Sequence, residues 1–301
     1  MSDTSKYHLP SGSTHDGAYD LVITPESAGW GHSGLRIITL APGEAHALST
    51  DDCEFLVLPL NGSCTVTVEG RAFSLNGRTD VFASATDFAY LPRESEALLS
   101  SASGGRFALP SARTEQGSHS ARYGRKEDVP VELRGAGNCS RQVNNYCLPT
   151  TFDAEQLLVC EVLTPGGNWS SYPPHKHDEV RTDPDGNPVE SQLEEIYYFE
   201  VADSPSGDEG FAYQRVYGTQ ERPIDVLAEV RSGDTVLIPH GWHGPSVAAP
   251  GYDLYYLNVM AGPGQDRAWL ICDDPAHGWV RGTWESQATD PRLPFGAKET
   301  E

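Results

Sequence analysis

The chain has 301 residues, enough for one large domain or two of ordinary size. Its 43 acidic side chains outnumber its 21 basic ones, which gives a formal net charge of −22. This excess argues against nucleic-acid or anionic-membrane binding, since both need a cationic face. An anionic substrate would need local cations, from a metal ion or from arginine. The sequence also has no apolar run of the roughly 18 residues that a membrane-spanning helix requires.

The six cysteines do not form a recognisable disulfide or metal framework, since none lies in a C-x-x-C pair. The N-terminal stretch, residues 1–17, is polar and lacks the apolar core of an export signal. Free thiols in a chain without an export signal are typical of a reducing compartment. We therefore expect a cytoplasmic protein.

Short runs of β-branched and aromatic residues follow one another along the chain, separated by glycine and proline. Such runs predict strands. The predicted strands are residues 35–40, 55–60, 64–68, 154–163, 196–201, 211–217, 235–239 and 254–260. Helical periodicity is faint and confined to residues 51–55 and the end of the chain. Many short strands at regular spacing predict an all-β sandwich or barrel.

The chain also repeats itself. Residues 35–70 and residues 157–201 both show a strand, a Pro-Gly turn, a loop and a further strand in the same order. This repetition predicts a duplicated β-domain. We place the N-terminal domain at residues 1–140, including a polar connection, and the C-terminal domain at residues 141–301.

The second half concentrates the residue types that bind metals. His175 and His177 stand at i and i+2 of an extended segment, so their side chains point the same way. Glu194 and Glu195 open the next predicted strand, and His243 follows a strand and a glycine bend. Imidazole and carboxylate groups bind Zn, Mn, Fe, Co and Ni alike. We predict one divalent transition-metal ion held by His175, His177, His243 and Glu194, with Glu195 as the alternative carboxylate.

The first half lacks this constellation. At the corresponding place it offers Glu44, His46 and Ser49, and a single histidine among alanines favours a structural role. The first half is therefore predicted to be a scaffold without metal ligands.

The order of the second-half residues resembles the two motifs of cupins. This resemblance implies a bicupin, two tandem jelly-roll β-barrel domains. Two departures stand out: the spacer between His177 and Glu194 is long, and the second motif is one residue short. Glu194 is preferred to Glu195 because Glu200 stands six positions later, where cupins often have a polar residue. The spacer, residues 178–193, is polar and rich in turn residues, and we predict a loop over the mouth of the pocket.

Longer strings narrow the resemblance to one family. They are PPHKHDE, LEEIYYFE, GFAYQRVY, VLIPHGWHGPSVAAPGYDLYYLNVMAGP, DDPAHGWV and RGAGNCSRQV. Across about residues 6–282 the chain resembles the 5-deoxyglucuronate isomerase family of myo-inositol catabolism. This implies an aldose–ketose isomerisation of 5-deoxy-D-glucuronate to 5-dehydro-2-deoxy-D-gluconate. The alternatives are a related uronate ketol-isomerase of pectin breakdown and a metal-dependent cupin dioxygenase.

An isomerase of this kind needs further groups around the metal. A base must move a proton from C2 to C1, and Glu195, His240 and Glu194 are the candidates. Arg215 is predicted to bind the carboxylate of the uronate, because guanidinium pairs with carboxylate in a bidentate manner. Tyr256 is predicted to line the pocket. Other candidates for the lining are Tyr198, Tyr213 and Asn258.

The remaining expectations concern cofactors and assembly. The sequence carries no dinucleotide-binding or P-loop fingerprint, so a metal ion is the only cofactor predicted. Exposed sheet edges favour a homo-oligomer.

Overall fold

The structure is a computed structural model that describes residues 3–264 and 266–296. Strands dominate these residues, which confirms the all-β prediction. The helical candidate at residues 51–55 is wrong, since a strand begins at Cys53. Within the described ranges, no helix has the length and apolar character needed to cross a bilayer.

The elements follow one another in short segments. The helices are α1 (Asp3–Tyr7), α2 (Pro25–Ala28) and three 3-10 helices (Lys126–Asp128, Gly137–Cys139 and Gly278–Ser286). The strands of the first half are β1 (His8–Leu9), β2 (Tyr19–Ile23), β3 (Ser33–Leu40), β4 (Glu44–Ser49), β5 (Cys53–Val68), β6 (Arg71–Arg78), β7 (Phe88–Leu91), β8 (Glu96–Ser101), β9 (Gly105–Arg113) and β10 (Arg122–Gly124).

The strands of the second half continue the series. They are β11 (Val131–Arg134), β12 (Arg141–Cys147), β13 (Leu158–Thr164), β14 (Trp169–Ser170), β15 (His175–Lys176), β16 (Asp178–Thr182), β17 (Pro188–Gln192), β18 (Glu194–Val201), β19 (Ala212–Tyr217), β20 (Asp225–Val230), β21 (Thr235–Ile238), β22 (Trp242–Ala248), β23 (Leu254–Ala261) and β24 (Cys272–Asp273).

One long strand, β5, pairs with four other strands of the N-terminal half. Its first part pairs with β7 and β9, and its second part pairs with β6 and β8. The two parts meet at Gly62, which has a φ of 76° and would place a Cβ 2.4 Å from the backbone oxygen of Gly104. Glycine is therefore required where this strand passes from one layer of the N-terminal sandwich to the other.

The C-terminal half is built from two main sheets and the separate two-stranded sheet of β16 and β17. The larger sheet has the order β1-β21-β18-β23-β13-β12-β11, and the smaller has the order β20-β19-β22-β15-β24 with β14 beside β22. The N-terminal strand β1 thus crosses over to the second half. The predicted division between residues 140 and 141 stays a prediction, and β11, which precedes it, already pairs with β12.

Apolar side chains fill three layers. One lies inside the N-terminal half, one inside the C-terminal half, and one between the halves. Along β18, Ile196 and Tyr198 face the layer between the halves, whereas Tyr197 and Phe199 face the C-terminal interior. Because both faces of this strand are buried, its sequence is almost continuously apolar. Consecutive residues of β18 therefore pack into different apolar layers.

Two buried carboxylates join the halves. Glu54 accepts hydrogen bonds of 2.6–2.9 Å from the backbone N–H groups of residues 155–157, and one of 2.7 Å from the hydroxyl of Tyr90. Glu161 forms a bidentate ion pair with Arg78, with two contacts of 2.8 Å. Both of these side chains are fully buried. The relative position of the two halves thus rests on charged groups as well as on apolar packing.

Removing the charge of Glu161 should destabilise the protein. In Glu161→Gln the guanidinium of Arg78 stays buried without its carboxylate, and breaking a buried pair in this way costs about 3–5 kcal/mol. Urea denaturation followed by tryptophan fluorescence measures the loss. The matched control is Asp128→Asn in the exposed pair with Arg125, which should leave the urea midpoint nearly unchanged. Equal midpoints for the two variants would contradict the prediction.

Candidate metal centre

Three histidines converge in the C-terminal interior. His175 in β15 lies opposite His243 in β22, and His177 follows directly after β15. One ring nitrogen of each lies within 4.8 Å of the others. All three are buried, with 7%, 2% and 1% of the surface of His175, His177 and His243 exposed. The structure thus brings together the three histidines that the sequence predicted as ligands.

Glu195 supplies the carboxylate at this cluster. Its Oε2 lies 3.2 Å from Nε2 of His177 and 3.1 Å from Nε2 of His243. Glu194 points to the opposite face of β18, where its oxygens accept hydrogen bonds of 2.7–3.1 Å from the N–H groups of residues 31–33. The predicted place of Glu194 among the ligands is therefore wrong, and so is its candidacy as the base. The reason is that neighbouring residues of a strand face opposite ways.

The long spacer before Glu195 is a hairpin. It consists of β16 and β17, and its base is closed by a 2.8 Å hydrogen bond from the N–H of Leu193 to the carbonyl of His177. The chain therefore enters β18 beside the point at which it left β15. The predicted loop over the pocket is wrong, since no residue of the hairpin lines the cavity that reaches the cluster at His175.

The four side chains fit a divalent cation. Burial lowers the pKa of His175 and of His243 well below the ordinary histidine value, so both rings are neutral at pH 7. Nδ1 of His243 donates to the carbonyl of Gly241 at 3.2 Å, which leaves the lone pair on Nε2. Nε2 of His177, Nε2 of His243 and Oε2 of Glu195 are buried without a hydrogen-bond partner. Lone pairs that face one another in a buried site are costly unless a cation lies between them.

Asn258 orients the carboxylate of Glu195. It lies in β23, which pairs with β18, and its Nδ2 donates to Oε1 of Glu195 at 2.8 Å. This hydrogen bond leaves Oε2 free to face the histidines. Such second-layer contacts orient metal ligands and tune their affinity. The sequence named Asn258 only as a candidate for the pocket lining.

A second group of acidic side chains does not offer an open cation site. Asp178, Glu179 and Glu190 surround Nζ of Lys176 at 2.6–2.7 Å, so the ammonium group already occupies their centre. In the N-terminal half, Nε2 of His46 lies 2.8 Å from the hydroxyl of Tyr19, which agrees with a structural role.

A cavity of about 420 Å³ reaches the cluster at His175. The groups that line it on this side are Ser171, His175, Tyr197, Tyr256 and Asn258. The hydroxyl of Ser171 lies 3.0 Å from that of Tyr197 and 2.9 Å from that of Tyr256. Burial raises the pKa of both tyrosines, so their hydroxyls stay protonated at neutral pH. Tyr256 therefore stands in the cavity, where the sequence had placed it.

Two other predicted residues lie elsewhere. Arg215 forms an ion pair of 2.5 Å with Asp225 and donates to the carbonyls of Val216 and Val226. Its prediction as the partner of the substrate carboxylate is wrong, because Val216 faces the interior and the alternation along β19 turns Arg215 outward. His240 lines a separate small pocket beside Lys176.

Three arginines without a role predicted from the sequence line the cavity: Arg134, Arg141 and Arg281. Arg134 pairs with Glu132 at 2.8 Å, and Arg281 pairs with Asp273 at 2.7 Å. Arg134 and Arg141 belong to the string RGAGNCSRQV, which carried part of the family resemblance without a role. The string was therefore the available signal for these residues.

Two tandem β-domains with a buried cluster of three histidines and one glutamate define a bicupin. Solved structures agree on the fold. Oxalate decarboxylase from Bacillus subtilis matches with a TM-score of 0.59 and 13% sequence identity, over 89% of this chain and 79% of that protein. The model of the KduI/IolB family matches residues 7–280, and the chain belongs to this family.

Relatives within the family are similar over most of their length. The 5-deoxy-glucuronate isomerase of Geobacillus kaustophilus is 40% identical over 92% of this chain and 95% of that protein. The enzyme of the same name from Bacillus subtilis strain 168 is 35% identical over 86% of this chain and 91% of that protein. An IolB-like protein from Salmonella typhimurium LT2 superimposes with a TM-score of 0.81 and 32% identity, over 91% of this chain and 98% of that protein. These matches confirm the predicted family.

The two neighbouring glutamates can be separated by metal binding. Glu195→Gln should weaken Co²⁺ binding at least about tenfold, because a liganding carboxylate is replaced by a neutral amide. Glu194→Gln should bind Co²⁺ as the wild type does, because its partners are backbone N–H groups of the N-terminal half. Titration of the metal-free protein, followed by visible absorption of Co²⁺, measures both. The reverse pattern would restore Glu194 as the ligand.

Proposed function

We propose that this protein is a metal-dependent aldose–ketose isomerase that converts 5-deoxy-D-glucuronate to 5-dehydro-2-deoxy-D-gluconate. The observation that carries the proposal is a cavity that reaches the buried histidine–glutamate cluster at His175 and is also lined by hydroxyl groups and arginines. The family supports the same reaction, since relatives 35–40% identical are 5-deoxy-glucuronate isomerases. Their name favours this substrate over the uronate of pectin breakdown.

The residues that would hold one divalent transition-metal ion are His175, His177, Glu195 and His243. When bound, such an ion supplies Lewis-acid stabilisation of the negative charge that develops on two adjacent sugar oxygens. Three imidazoles and one carboxylate suit Zn, Mn, Fe, Co and Ni. The neutral state of His175 and His243 supports this assignment, because only the neutral ring can bind a metal.

The hydroxyl groups position the sugar. Tyr197, Tyr256 and Ser171 form one hydrogen-bonded group beside His175. Their protonated hydroxyls can donate to the oxygens at C1 and C2, which is the role we propose for Tyr256. The reaction returns the proton of C2 to C1 and that of the C2 hydroxyl to the C1 oxygen. Of the three groups predicted as the base, only Glu195 lies at the cluster, and we propose it for this transfer.

The setting of the reaction is also a proposal. A cytoplasmic location is supported by the six cysteines, all of which are free thiols. A homo-oligomer stays a prediction, in line with the exposed Leu227 on strand β20 at the edge of its sheet.

The proposal predicts a metal-dependent reaction that needs no oxygen. NMR should show the aldehyde of 5-deoxy-D-glucuronate, with its anomeric hydrates or hemiacetals, replaced by a hydroxymethyl ketone. Chelation should abolish turnover and one divalent ion should restore it, since the metal stabilises developing charge. The rate should be the same under argon and in air. Oxygen-dependent turnover would instead identify a dioxygenase, and turnover of the pectin-derived uronate alone would identify the related isomerase.

The tip of the hairpin β16–β17 should be dispensable for turnover. Replacing residues 183–187 by an Asn-Gly turn keeps the closed base at His177 and removes no residue that lines the cavity. The kcat/KM for 5-deoxy-D-glucuronate should therefore stay within about twofold of the wild type, as is usual for surface loop tips. A loss of tenfold or more, with Co²⁺ binding intact, would show that the hairpin reaches the substrate after all.

A further inference from the structure

Arg141 is a buried cation with most of its hydrogen-bonding capacity unused. Its residue surface is 6% exposed, and its Nη1 donates to the carbonyl of Cys139 at 3.2 Å. A guanidinium has five N–H donors. Across residues 3–264 and 266–296, no carboxylate forms an ion pair with it. This is unusual, since unpaired buried charges are costly and this chain has a formal net charge of −22.

The two other arginines that line the cavity each have an acidic partner, as cations with a structural role usually do. Arg134 is paired with Glu132, and Arg281 is paired with Asp273. Among the described residues no acid forms an ion pair with Arg141, and the nearby carboxylate of Glu132 is already paired with Arg134. Burial and the nearby charges of Arg134 and Arg281 lower the pKa of Arg141 to about 10, so the guanidinium stays charged at neutral pH. Among the described residues that line the cavity, Arg141 is therefore a cation without a paired carboxylate, and it is available to bind an anion.

The surrounding chain is shaped to hold Arg141 in place. A Cβ on Gly135, which has a φ of 74°, would lie 2.8 Å from Nη1 of Arg141 and 2.2 Å from the carbonyl oxygen of Cys139. Glycine at this position therefore leaves the room that the guanidinium needs. The guanidinium carbon also lies over the ring of Trp284, 5.7 Å from the ring centroid. A cation over an indole face is stabilised without losing its in-plane N–H donors.

Arg141 and His175 line the same cavity, whose volume of about 420 Å³ lies within the range of about 300–1,000 Å³ that is typical of small-molecule sites. We propose that Arg141 binds the substrate carboxylate and thereby makes the enzyme specific for uronates over neutral aldoses. The role of Arg141 rests on the proposed function, which places the aldehyde end of the sugar at the histidine–glutamate cluster. A planar guanidinium can pair with a carboxylate through two parallel hydrogen bonds, and that geometry also fixes the direction in which the sugar lies.

The first test compares two aldoses, 5-deoxy-D-glucuronate and the neutral 5-deoxy-D-glucose. Arg141→Gln should lower the kcat/KM of the uronate about 10–150-fold, the range expected for a hydrogen bond to a charged group. The kcat/KM of the neutral aldose should change less than about threefold, because its contacts do not include the charge. For the uronate, the kcat/KM of Arg141→Lys should lie between those of the wild type and of Arg141→Gln, since lysine keeps the charge but cannot form the two parallel hydrogen bonds of a guanidinium. Arg215→Gln, outside the cavity, is the matched control and should resemble the wild type.

Two outcomes would overturn the proposal. An equal loss for both aldoses, with Co²⁺ binding intact, would mean that Arg141 only supports the structure. An unchanged kcat/KM for the uronate in Arg141→Gln would mean that another cation binds the carboxylate.

A second measurement separates the failure of this proposal from that of the proposed function. Calorimetry on the Co²⁺-loaded protein compares D-gluconate with D-glucitol, which differ in the carboxylate and cannot undergo the aldose reaction. Gluconate should bind to the wild type and lose at least about tenfold in affinity in Arg141→Gln. Glucitol should show no such difference. This pattern supports Arg141 even if the wild type turns over neither aldose, and equal binding of gluconate to both proteins contradicts it.

Discussion

The alternation of Glu194 and Glu195 along β18 is the constraint on which the site depends. The carboxylate of Glu194 accepts hydrogen bonds from three backbone N–H groups of the N-terminal half, and that of Glu195 faces the histidine cluster. Hydrogen bonds to an ionised carboxylate are among the stronger ones in proteins. The N-terminal half thus does more than support the fold, because its residues 31–33 hold the strand that presents Glu195.

Much of the fold and part of the site could be predicted from the sequence because the signals were local. The short β-branched runs marked the strands, and the spacing of His175 and His177 placed both on one face of an extended segment. The choice between Glu194 and Glu195 could not be made in this way. It depends on which face of β18 meets the other half of the molecule, and that is a contact between residues about 160 positions apart.

The arginines show a second limit of sequence reasoning. Bidentate pairing of guanidinium with carboxylate favours Arg215, in the predicted strand at residues 211–217, as the partner of the substrate, but the alternation along β19 turns it toward Asp225. Arg141 sits at the start of a strand after a glycine-rich turn, where no periodicity points to it. What distinguishes it from Arg134 and Arg281 is the lack of an acidic partner among the described residues, and only the three-dimensional structure shows this.

Because the base of the hairpin between β15 and β18 is closed, the geometry of the site does not depend on the length of the hairpin. Leu193 donates to the carbonyl of His177, so the two ends of the insert are held together whatever lies between them. Each doubling of a flexible loop adds only about 0.6 kcal/mol to its closure cost. This position is therefore one at which the chain can gain or lose whole segments in evolution, or accept a grafted one, while the four clustered side chains keep their places.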